Sequence, residues 1–108
     1  MPWDKLLNDL GTIRPKQKVT GIFNFIGKIK VLSIETSCGC AGAKWDEKEQ
    51  RLTISYTGAD IPQQIIAQGR DYMNVTQNAK LKTVVNETIK EYILMIKIKV
   101  EDVRIFRG

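Results

Sequence analysis

The feature that most constrains this chain is its load of β-branched side chains. Isoleucine occurs 14 times, threonine 8 and valine 7 in 108 residues, against only 5 alanines. Such side chains are stiff at χ1 and fit a pleated sheet better than a helix. A β-rich single domain is the first expectation. The length is that of one domain and suffices for a modest core.

The period along the chain supports this. From Val19 to Ile26, Val19, Gly21, Phe23 and Phe25 point one way and Thr20, Ile22, Asn24 and Ile26 the other. Ile29 and Val31 continue the alternation. The apolar phase then slips before Leu32 and Ile34, which predicts a bulge or a strand buried on both sides. Leu52, Ile54 and Tyr56 alternate with polar residues as a half-buried strand. Residues 72–76 read as another strand and 82–85 as a weaker one. Residues 91–100 give the strongest, with Tyr92, Leu94, Ile96, Ile98 and Val100 on one side and Lys97 and Lys99 on the other. Residues 37–50 and the segment from Ile61 read as irregular. Trp3, Leu6, Leu7 and Leu10 have helical spacing over two turns, too short to be stable alone. About seven short strands, with turn signals every ten residues or so, is the pattern of an antiparallel β-sandwich. The expected division is an N-terminal arm (1–8), an immunoglobulin-like sandwich (9–102) and a C-terminal tail (103–108).

Composition narrows the function classes. The chain has no histidine, the commonest general base and metal ligand. No run approaches the ~20 apolar residues of a membrane span, and the N-terminus lacks a secretory signal pattern. The sequons Asn74-Val75-Thr76 and Asn86-Glu87-Thr88 are therefore read as coincidental. The net charge of +5 is spread along the chain, with Arg14, Lys16 and Lys18 its densest cluster. A nucleic-acid binder usually gathers its cations on one face, so nucleic acid is not the expected partner. Phosphate loops, serine elbows and metal-ligand spacings are absent from the sequence, and neither an enzyme nor a cofactor is expected.

Cys38-Gly39-Cys40 admits three readings. Two cysteines alone cannot close a zinc site, which takes four ligands. A disulfide across one residue is strained, and the usual redox motif has two intervening residues. The third reading, two thiols packed as small hydrophobes at a glycine-bent strand end, is the expectation.

Ser37-Cys38-Gly39-Cys40-Ala41 resembles the Ser-Cys-Gly-Cys-Thr signature of a bacterial and phage family of unknown function, immunoglobulin-like and similar to Hydin-type domains. Asp9-Leu10-Gly11-Thr12-Ile13 is similar to that family's opening element. Phe23-Asn24-Phe25-Ile26-Gly27 and Leu52-Thr53-Ile54-Ser55-Tyr56 are similar to later strands. Ala41 replaces the common threonine, and residues 46–50 replace a Pro-Gly turn. The signal-less form is more like phage-encoded members. The resemblance implies a non-enzymatic structural module of a virion (capsid decoration, neck or tail), or a cytoplasmic protein if not phage-encoded. It would dock on other assembly proteins or on itself. A thiol-redox protein and a nucleic-acid accessory protein are the alternatives. The interface candidates are Trp3, Leu6, Leu7, Trp45, Ile105 and Phe106, aromatic or apolar residues in the termini or in a polar segment. The competing expectation for the termini is that they fold back onto their own core.

Overall fold

The structure, a computed structural model, describes residues 2–37, 39 and 41–106. Seven strands form two sheets: β1 (Leu7–Ile13), β2 (Lys18–Asn24), β3 (Lys30–Thr36), β4 (Ala41–Asp46), β5 (Arg51–Thr57), β6 (Tyr72–Val85) and β7 (Thr88–Glu101). One sheet has the order β1-β7-β6-β3 and the other β2-β5-β4. With β2, β5 and β4 facing β3, β6 and β7, this is the immunoglobulin arrangement of a β-sandwich. It is antiparallel throughout except at β1, which runs parallel to β7.

The core lies between the sheets. Phe23, Leu52, Ile54 and Tyr56 meet Leu81, Leu94, Ile96 and Val100, all fully or nearly buried. Each such side chain contributes roughly 1.5–3 kcal/mol. Gly21 is required by this packing: a Cβ there would lie 2.7 Å from Cγ2 of Ile96.

Several elements differ from the sequence expectation. The predicted strands 72–76 and 82–85 are one 14-residue strand, β6, paired without interruption to the 14 residues of β7. Gln77 and Asn78 read as the end of the first, but Gln77 is buried and Asn78 stands on the outer face. The molecule is correspondingly long, 59 × 20 × 20 Å. Residues 41–46, expected irregular, form β4, because β5 supplies a partner ladder that local polarity does not reveal. The turn that follows is fixed by Asp46, whose carboxylate accepts the amides of Lys48 and Glu49 at 3.0 and 3.1 Å. A short helix, α1 (Gln63–Ala67), occupies the segment after Ile61. The phase slip near Leu32 is a register shift between Val31 and Ser33 of β3 in its pairing with β6.

The helical spacing at the N-terminus does not make a helix. Trp3 forms an antiparallel bridge with Phe25, and Asp4 donates its amide to the carbonyl of Asn24 at 2.9 Å. The Asp4 carboxylate accepts the amide and the side-chain nitrogen of Asn24, each at 3.0 Å. The chain then crosses to the other sheet and becomes β1 on β7. The spacing of Trp3, Leu6, Leu7 and Leu10 is thus the trace of one segment that serves two sheets. No helix among the described residues is long and apolar enough to cross a membrane.

Candidate interaction surface

The six interface candidates separate into three groups. Trp3 is 2% exposed and closes one end of the core, so for this residue the docking expectation gives way to folding back on the core. Its ring meets Phe25, Trp45 and Tyr92 edge to face, at centroid distances of 5.1, 6.0 and 5.7 Å. Trp45 stands on β4, not in a polar loop, and is half-buried against the core. The indole N–H groups of both tryptophans are buried without a hydrogen-bond partner among the described residues. The edge-to-face rings around them offer only the weaker N–H···π contact. Ile105 also packs on the core, half-buried. Leu6, Leu7 and Phe106 are exposed. Phe106 follows β7 at the far end from the aromatic cluster, so the structure does not join it to the leucines. Gly39 lies exposed in a turn. The expectation for Cys38 and Cys40 lies outside the described residues.

Leu6 and Leu7 belong to a larger surface. The outer face of the four-stranded sheet carries the side chains of β7 that alternate with the core set: Ile89, Glu91, Ile93, Met95, Lys97 and Lys99. Leu7 lies opposite Met95, and Val84 opposite Ile89. Leu7, Met95, Ile93, Ile89 and Val84 therefore form an apolar band along β7, interrupted by Glu91. Ile89 is 58% and Ile93 55% exposed. The sequence reading missed both isoleucines. The signal was present: residues 89, 93 and 95 are apolar in the phase that should be polar for a half-buried strand.

Charges flank the band. Lys80 pairs with Glu91 at 3.2 Å, both half-exposed. Asp9 lies opposite Lys97. At the far end Lys99 lies over the ring of Tyr72, 4.6 Å from its centroid, and meets Glu101 at 3.4 Å. Cations and carboxylates alternate here, which gives no single-sign stripe.

The far end also holds an open cavity of about 520 Å³ between the β1–β2 turn and the segment after β7, lined by Arg14, Glu101, Asp102 and Arg104 among others. Asp102 accepts two bonds from the Arg104 guanidinium, at 2.9 and 3.1 Å. That pairing holds the Asp102 carboxyl below its ordinary value. Its acids are thus already engaged by cations of the same chain. Among the described residues no three His, Cys, Asp or Glu side chains gather as a metal-binding set.

No protein-family model matches the chain, and no curated protein or solved structure matches it either. The class rests on its own architecture, an all-β immunoglobulin-like sandwich.

Proposed function

We propose that the protein is a non-enzymatic structural module that docks on other proteins of an assembly, and that the assembly is a virion in which it serves as a decoration, neck or tail component. One observation carries the first part: the apolar band of Leu7, Ile93 and Ile89 stands exposed along β7 beside Leu6. Exposed apolar surface bordered by charged residues marks interaction sites. A sandwich suits the task, because its core fixes the position of whatever its strands display. The virion part is supported by the resemblance at Ser37–Ala41 to a family with phage-encoded members.

Mass spectrometry of purified particles from the source tests it. The protein is expected in fixed ratio to the major structural proteins through successive purification steps. Its loss at the first gradient overturns the virion reading.

A further inference from the structure

β7 is an inner strand of its sheet, yet only part of its edge toward β1 is filled. β1 pairs with β7 from Met95 onward, because the arm leaves this sheet at Leu6 to reach β2. The amide of Met95 donates to the carbonyl of Leu6 at 2.9 Å, so odd-numbered residues of β7 aim their backbone groups toward the β1 side. The carbonyl of Lys90, an even-numbered residue, accepts the Thr83 hydroxyl on the β6 side at 2.9 Å, in keeping with that alternation. The N–H and C=O groups of Ile89, Glu91 and Ile93 thus face outward, with no strand paired to them among the described residues. Residues 88–93 span about 20 Å at roughly 3.3 Å per residue.

We propose that this edge takes an extended segment of a partner protein as an added β-strand, and that the segment alternates apolar and basic side chains on its outer face. The inference rests on the module reading above and names the partner's chemistry. The outer face of the edge reads Ile89, Glu91, Ile93, an acid between two apolar residues. Cross-strand neighbours on one face stabilise a sheet when they are apolar pairs or opposite charges. Apolar side chains therefore belong opposite Ile89 and Ile93, and a cation opposite Glu91. On β6, Glu91 lies opposite Lys82 and pairs with the half-exposed Lys80; such exposed pairs are worth little, so a further cation is accommodated on its open side. The same charges disfavour a second copy of this chain. An antiparallel copy that sets Ile89 against Ile93 sets Glu91 against Glu91, and like charges directly opposed are destabilising.

The probe is a capped synthetic peptide that alternates threonine with isoleucine, lysine and isoleucine, beside a control with glutamate for lysine. Amide hydrogen exchange is read residue by residue. The lysine peptide at saturation is expected to slow the amides of Ile89, Glu91 and Ile93 by roughly tenfold. Those of Lys90 and Tyr92, already in the β6 ladder, should not change. Glu91→Lys reverses the preference between the peptides, and Ile93→Asp removes both responses. No slowing with either peptide, or equal slowing with both, overturns the proposal. Slowing with protein concentration alone names a second copy as the occupant and overturns it too. Particle analysis reads the module proposal separately: a protein found in particles whose β7 edge ignores both peptides keeps that reading and loses this one.

Discussion

The two halves of β7 continue one ladder with β6 and meet opposite fates on their other edge. From Met95 to Val100 the strand is flanked by β6 on one side and β1 on the other. From Thr88 to Ile93 it has β6 alone. In the closed half, Lys97 and Lys99 face outward beneath Asp9 and Thr12 of β1. In the open half, Ile89 and Ile93 occupy the equivalent positions. The side chains that would suit a covered strand lie where the chain supplies no cover. Local hydrophobicity does not decide where β1 stops. The position of Trp3 does, because a tryptophan buried between the sheets draws the chain off β7 at Leu6.

Paired substitutions sharpen that contrast most. Ile96→Ala removes a fully buried side chain from the closed half and is expected to cost about 2–5 kcal/mol. Ile93→Ala, three residues away in the open half, should cost under about 1 kcal/mol. Urea midpoints at constant slope compare them directly; equal losses would contradict the difference in burial. Gly21→Ala strikes the closed half from the opposite sheet. Its Cβ would sit 2.7 Å from Ile96, and overpacking of this kind costs about 1–3 kcal/mol. The double variant with Ile96→Ala relieves the contact, so the two losses should sum to more than the double shows.

At the tip of the open half the sign reverses. Asn86 and Glu87 both have positive φ, 49° and 65°, as a two-residue hairpin turn of primed type requires. Glycine is favoured at the second position and glutamate is not. Glu87→Gly is expected to stabilise the fold by about 0.5–1 kcal/mol, seen as a raised thermal midpoint.

The smallest expected effect concerns the arm that separates the halves. Burial raises the Asp4 carboxyl, but the bonds from Asn24 and the nearby Lys5 outweigh it and hold it below its ordinary value. A depressed carboxyl stabilises at pH above its unfolded value of about 4, and that stabilisation fades as pH falls through the folded value. The protection of the Asn24 amide, its exchange relative to the intrinsic rate at each pH, should therefore fall below about pH 4. Asp4→Asn should abolish that pH dependence.

How much of this was legible follows from where the information resides. The alternation at 52–56 and 91–100 is local, and both strands are present. The slip at Leu32 was visible as a broken phase and is a register shift. β4 was invisible because its ladder to β5 is made across a turn by residues whose own polarity suggested a loop. The arm misled most. Trp3, Leu6, Leu7 and Leu10 are apolar for different partners, and a segment that changes sheets has no single period. Of the surface, Leu6 and Leu7 were legible as apolar residues of the N-terminal arm, and both are exposed. Ile89 and Ile93 were not legible, because the strong inner set of β7 masks a second apolar phase on its outer face.

The parallel pairing of β1 with β7 also sets an order of events. Leu7 meets Met95 and Ile13 meets Val100, partners separated by nearly the whole chain. Trp3 meets Phe25, a contact of short sequence separation. Contacts between distant residues bear the larger loop-closure cost and form late. On the ribosome, then, the first strand of the sheet must wait for the last one. The crossing at Leu6 is a seam in time as well as in space: the residues before it can settle on β2 while those after it still have no strand to join.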